Sequence, residues 1–235
     1  MPFRRPMPPP AETGNPFYPG SIAAARAVQD ELRLRLDLAD RYAPLRTIAG
    51  VDVGYDLAAN ASLASVVVLS FPDLVPVDAA KAVLPTGFPY VPGLLSFREI
   101  PVLLEALAKL EAPPDLLMVD GQGIAHPRRV GIATHLGLVT DLPAIGVAKS
   151  RLCGSHDEPG PRKGDRALLR DGEERIGTVL RSRDGVRPLY VSPGHRVGHD
   201  SAVEIVLACL TRYRLPEPTR LADRYSKKGA GELRI

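Results

Sequence analysis

Four consecutive apolar residues, Leu116-Leu117-Met118-Val119, run from Pro114-Asp115 into Asp120-Gly121-Gln122-Gly123. So short and uniformly apolar a run, bounded by proline and glycine, reads as a strand buried on both faces. Asp120 stands where that strand ends. Gly121 and Gly123 let the backbone turn sharply there and come close to a neighbour. A carboxylate at the carboxyl end of a buried strand occupies the place where open α/β sheets hold their ligands. The same aspartate alone would also serve as a helix N-cap or turn residue.

The chain of 235 residues has room for one sizeable domain, or just for two. No apolar run approaches the length of a membrane span. The basic start, Met1 to Arg5, is followed by prolines, which is unlike a secretory signal. Cys153 and Cys209 form no CxxC pair, which argues against a disulfide framework or a cysteine zinc site and for a cytoplasmic protein. A net charge of +3 permits a nucleic-acid partner without demanding one.

Residues 1–20 carry seven prolines and no apolar periodicity, and read as a disordered arm ahead of a single domain over 21–235. Ile22, Ala25, Val28, Leu32 and Leu36 share one helical face, with Ser21 as N-cap. Strands are expected over 47–53, 64–70 and 74–84, joined as antiparallel hairpins. A helix follows over 95–110 with Pro101 as an irregularity inside it. After the strand at 116–119 come a helix over 130–139, a buried strand over 144–148 and a polar surface loop over 154–165. Strands at 175–181 and 188–191, a helix from His199 or Asp200 to about Tyr213, and a last helix over 219–228 close the chain. Three antiparallel strands followed by alternating helix and strand predict a mixed sheet with helices on both faces, the α/β order of the ribonuclease H-like fold.

Asp52 lies inside the apolar strand, Glu99 opens a leucine-rich helix, Asp120 ends the central strand, and Asp223 comes late in the chain. Carboxylates converging from separate elements repel one another and call for a divalent cation or raised pKa values. Hard oxygen donors with little histidine favour Mg2+ or Mn2+ over zinc. Such a site suits phosphodiester hydrolysis. Taken singly, Glu99 also reads as a solvated helix glutamate or a partner for Arg98, and Asp223 as a plain surface aspartate.

Seven stretches together resemble one family. They are Val51-Asp52-Val53, Phe88-Pro89-Tyr90-Val91-Pro92-Gly93, Phe97-Arg98-Glu99, Val119 to Pro127, Gly146 to Ser150, Ser192 to His195, and Pro216 to Asp223. In that order they are similar to the motifs of endonuclease V, the deoxyinosine-directed repair nuclease. The resemblance implies that Asp52, Glu99 and Asp120 bind metal (Mg2+, with Mn2+ as a substitute) and that Asp223 holds a cation or orients water. It implies that Lys149 acts near the scissile phosphate, although a lysine at a strand end is otherwise an ordinary solvated one. Tyr90, between two prolines, matches the family's wedge against a displaced base; its alternative is a hydrophobic plug under the loop. A hypoxanthine pocket is implied at Gly93, Leu95, Gly121, Gly131 and Ile132, with His126 contacting base or phosphate. His135 reads as structural, His195 and His199 as loop or capping residues.

The activity implied is a monomeric, Mg2+-dependent endonuclease that nicks the second phosphodiester 3′ of deoxyinosine in DNA. The alternatives are an inosine-specific endoribonuclease, another ribonuclease H-like nuclease such as a junction resolvase, and a non-catalytic inosine-binding module. Candidate phosphate contacts are Arg128, Arg129, Arg220, Arg224, Lys227, Lys228 and Arg234.

Overall fold

β-Branched runs and short turns build the first half of a single sheet. In the computed structural model, which describes residues 19–227, β1 (Thr47–Asp56), β2 (Ala61–Ser70) and β3 (Pro76–Pro85) pair in antiparallel succession. The proline-rich arm up to residue 18, and Lys228 and Arg234, lie outside the described residues. A helix, α1 (Ile22–Arg33), precedes β1, and Ser21 caps it by accepting from the Ala24 N–H. After β3 come α2 (Leu95–Leu107), β4 (Leu116–Val119), α3 (Ile132–Thr140), β5 (Ala144–Ala148), β6 (Arg166–Asp171), β7 (Glu174–Leu180), β8 (Leu189–His195), α4 (His199–Ala208) and α5 (Glu217–Ser226). The sheet order is β3-β2-β1-β4-β5-β8-β7-β6, with β1, β4 and β5 parallel in the middle.

Helices cover both faces, as expected. Ala49, Val51, Val66, Leu117 and Val119 pack with Ile100, Leu103 and Leu136 of α2 and α3. On the other face, Ile48, Leu116, Met118 and Ile145 pack with Val203 and Val206 of α4. All four residues of β4 are buried, as their apolar run requires. Gly50 is the crossing point of α5: a Cβ there would collide with the Pro218 carbonyl. Helix α5 therefore lies close across β1, its Ala222 packed on Val67 and Leu69.

Several boundaries differ from expectation. Strand β6 was not expected, because Leu169 is its one buried residue and Leu168 points outward among arginines. An edge strand that buries so little shows no clean alternation. Strand β8 runs on through Pro193-Gly194 to His195, because a register shift against β5 accommodates the proline there. His195 is thus a buried strand residue, not a loop residue, whereas His199 does begin α4. Helix α4 stops at Ala208, short of Tyr213; the residues after it form a connection in which Arg214 is anchored elsewhere. Among the described residues no helix is long and apolar enough to cross a membrane.

Candidate active site

The register of the parallel strands assembles the acidic residues. Val51 pairs with Val119, and one step further the Asp120 N–H donates to the Val51 carbonyl at 3.3 Å. Asp52 and Asp120 therefore stand on neighbouring strands, whose spacing is about 4.8 Å. Burial and then the Asp120 charge push the Asp52 carboxyl above the usual carboxylate range, and Asp223 on α5 adds to the rise. The Ser226 hydroxyl offsets part of it. Asp223 itself is paired with Lys227 at 2.8 Å.

Glu99 enters from the other face. It sits in the first turn of α2, is 8% exposed, and its Oε1 accepts from the Tyr55 hydroxyl at 2.7 Å. Burial, reinforced by Asp52 and Asp120 and opposed by the Tyr55 bond, pushes Glu99 up to about 8. Arg98 stacks its guanidinium on the Tyr55 ring, 4.3 Å from the centroid.

Lys149 follows β5 and forms an ion pair with Asp120. Burial alone would lower its pKa, but the Asp120, Asp223 and Asp52 carboxylates outweigh burial and raise it, so it is an ammonium at neutral pH. The Lys149 backbone is fixed as well: Arg214 donates from Nη2 to its carbonyl at 3.2 Å, and to the Pro188 carbonyl at 2.9 Å.

Among the described residues no three Asp, Glu, His or Cys side chains converge as a ready-made metal cage. The donors nevertheless fit a hard divalent cation in kind. They are oxygen donors, neighbouring carboxylates add to the burial that raises the pKa values of Asp52 and Glu99, and the ammonium of Lys149 already answers the charge of Asp120. Asp120 is occupied by Lys149 and Glu99 by Tyr55, so the carboxylates form an electrostatically coupled group and not a closed shell.

A cavity of about 370 Å³ opens beside Asp120 and Lys149. Its walls include Tyr90, Gly93, Leu95, Gly121, His126, Gly131 and Ile132, the residues expected as the wedge and around the base. Glycines make the walls thin: a Cβ on Gly131 would meet the backbone of Gln122 and Gly123. Tyr90 stands at the rim with its side chain 69% exposed, which rules out a plug buried under the loop. Asp52 and Asp223 line a separate depression with Tyr55 and Ser226, and Glu99 reaches neither.

His126 is 4% exposed, and both its ring nitrogens are engaged by the protein. Nδ1 accepts from the Arg128 N–H at 3.1 Å, so Nε2 carries the proton and donates to the Gly93 carbonyl at 3.0 Å. Burial pushes its pKa down to about 4, which keeps it neutral. His135, fully buried and 3.0 Å from the Ser96 hydroxyl, is structural as expected.

Three expected phosphate contacts are otherwise employed: Lys227 is held by Asp223, and Arg129 and Arg220 by other partners. Arg129 is 8% exposed and donates to Glu174, to Asp171 and to the His126 carbonyl, which ties the pocket loop to the β6–β7 turn. Arg220 is paired with Glu217 in the same helix. Arg224 is exposed, whereas Arg128 is half-buried and ion-paired with Asp30 at 3.8 Å. Sequence reasoning missed Gln29, Tyr55 and Arg214. Gln29 had a signal: it lies four residues after Ala25 and three before Leu32, on the buried stripe of α1, where a polar side chain needs partners.

Asp52 within β1 and Asp120 just past the end of its parallel neighbour β4, with Lys149 paired to Asp120 on a ribonuclease H-like sheet, make the arrangement of a hydrolytic nuclease. The endonuclease V family model matches residues 30–224. Endonuclease V of Alkalilimnicola ehrlichii is 59% identical over 211 residues, covering 88% of this chain and 93% of its own. The crystal structure of the Streptomyces avermitilis endonuclease V superposes with a TM-score of 0.86 at 47% identity, covering 89% of this chain and 93% of that one. That of a single-residue variant of Ciona intestinalis endonuclease V, in complex with a 23mer DNA containing an inosine followed by a ribo-adenosine, gives 0.76 at 28% identity, covering 88% and 95%. The chain belongs to the endonuclease V family.

Proposed function

We propose that this chain recognises deoxyinosine in DNA and, with a divalent cation, nicks the second phosphodiester on its 3′ side. The observation that carries this reading is that Asp120 and Lys149 share one cavity with the glycine-thinned walls and the rim tyrosine. Displacing a base from the stack costs a few kcal/mol, least when it is mispaired. The exposed Tyr90 ring, held between Pro89 and Pro92, offers a stacking surface in its place. The base then meets the backbone at Gly93, Leu95, Gly121, Gly131 and Ile132. His126 acts through Gly93 here and not by direct contact, since its ring nitrogens are both taken.

Asp52, Glu99 and Asp120 would hold Mg2+, or Mn2+ in its place; bound there, the ion supplies charge stabilisation and an activated water. Lys149, an ammonium at the cavity wall, offsets negative charge that develops on the phosphate. Tyr55 holds Glu99 in place, and Arg214 holds the Lys149 backbone. Asp223 acts on the Asp52 side, where it raises the carboxyl's pKa. The enzyme is read as a cytoplasmic monomer; Cys153 and Cys209 are both free thiols.

A second reading, an inosine-directed ribonuclease, draws support from the ribo-adenosine that follows inosine in the Ciona complex. Matched DNA and RNA strands, each with inosine or adenine at one position, separate the two when incubated with Mg2+ or with chelator. Metal-dependent nicking of the inosine DNA is expected. Cleavage confined to RNA would move the assignment to the second reading, and cleavage in chelator would remove the metal from it.

A further inference from the structure

Gln29 lies on α1, outside every stretch that resembles the family, yet its side chain is fully buried behind the cavity. Its amide nitrogen is 2.8 Å from the Gly93 carbonyl and 3.3 Å from the Val130 carbonyl. Carbonyls only accept, so the amide orientation is unambiguous: both hydrogens of one NH2 group are used, one on each carbonyl. These carbonyls are 64 and 101 residues away in sequence and belong to two loops that both line the cavity. The Gly93 carbonyl also receives the His126 Nε2–H, so two donors converge on it. Gly93 has a φ of +80°, a left-handed backbone that glycine adopts without strain and that a bond to its carbonyl helps to orient.

From this geometry we propose that Gln29 is a specificity-determining positioning residue. It clamps the 93 loop to the 130 loop and so sets the spacing of the backbone groups that meet the base. This rests on the reading of the cavity as the base pocket. Gln29 touches neither the base nor the carboxylates; it acts through Gly93 and Val130. A pocket that recognises its ligand by backbone cannot be tuned by its lining side chains, so its precision depends on what fixes that backbone. Two bonds from one planar amide hold two loops at one separation, which apolar packing of equal volume does not do. Gln29 Oε1 has no donor among the described residues, so an apolar replacement forfeits the two donated bonds and withdraws this donor from the Val130 carbonyl, while the Gly93 carbonyl keeps His126.

The test compares wild type, Gln29→Met and Gln29→Asn, the last keeping the amide but withdrawing it by one methylene. Single-turnover nicking is measured on matched duplexes containing deoxyinosine or adenine, together with amide exchange and melting temperature. For Gln29→Met the half-saturating concentration on the inosine duplex should rise about tenfold, the scale of two neutral hydrogen bonds. The saturated rate should stay within about twofold, and the inosine-to-adenine ratio should fall. Amide exchange should accelerate around Gly93 and Val130 while α1 stays protected. Gln29→Asn should move in the same direction by less, and it carries the test if the Met variant does not fold. Unchanged selectivity with unchanged exchange overturns the proposal. So does equal loss on both duplexes with a lowered melting temperature and fraying of α1, since that is what mere docking of the helix would give. If wild type itself makes no distinction between the duplexes, the base-pocket reading fails, and exchange at Gly93 and Val130 still decides whether Gln29 is a clamp.

Discussion

The carboxylate group and the cavity beside it meet at Asp120, and they are held in opposite ways. Asp52, Glu99 and Asp120 lie close enough to interact, and burial, reinforced by Asp52 and Asp120, pushes the Glu99 carboxyl up to about 8. Away from Asp120, Lys149 and Arg151 the cavity is lined by neutral residues, and the neutral His126 and Gln29 spend their donors on carbonyls of its wall. A coupled group of partly buried carboxylates gains from taking up a cation. A satisfied network of neutral hydrogen bonds resists change and so holds a shape. Chemistry and recognition are thus built to be separable, although Asp120 and Lys149 face both.

The sharpest break in the comparison is Asp120→Asn, which removes a charge without changing shape. It should lower nicking by about a thousandfold or more, the scale of several kcal/mol of metal-dependent stabilisation. Single-turnover assays in Mg2+ check this, and appreciable turnover would contradict the metal assignment. Lys149→Met should cost about 100- to 1000-fold in the saturated rate, as loss of one preorganised positive group does elsewhere. A change confined to affinity would instead make it a binding lysine.

The half of the molecule that was legible from sequence is the half written in local pattern. Leu116 to Val119 announced a buried strand because all four are apolar, and Asp120 announced a site because a carboxylate followed it. Tyr90 was marked by its flanking prolines. What escaped depends on distant partners. Arg129 looked like a phosphate contact until the β6–β7 turn supplied Glu174 and Asp171, and β6 escaped because an edge strand buries one side at most. Arg214 carried no signal at all, since its partners are backbone carbonyls. Gln29 carried a weak one, a polar residue on a buried stripe.

On the recognition side, Tyr90→Ala should weaken binding to an inosine duplex by roughly 1–3 kcal/mol, the worth of one stacked ring. The loss should shrink on single-stranded substrate, where no stack has to be opened, and Tyr90→Phe should be nearly silent. Equal damage from Phe and Ala would mean that the hydroxyl matters and the wedge is wrong.

The smallest effect expected is on stability in mild acid. His126 and His135 are held down to about 4 and about 3, against an ordinary value of 6.5, so both stay neutral when folded. The unfolded chain takes up these protons first as pH falls. The stability at stake is intact above 6.5 and drains away toward about 4 for His126 and about 3 for His135. The slope is at most about 1.4 kcal/mol per pH unit for each residue. Glu99, raised to about 8, titrates in the opposite sense over the same range, so denaturant melts between pH 7 and 5 on a Glu99→Gln protein check it, and a flat profile in that variant would show that the pocket side is not the neutral network described.

The separation of the two regions is tested most directly by the affinity of the Asp120→Asn protein for matched inosine and adenine duplexes in chelator. The account predicts that this inactive variant keeps the wild-type preference for inosine, because the walls that read the base do not depend on the carboxylate charge. An Asp120→Asn protein that folds normally but binds both duplexes alike would contradict it.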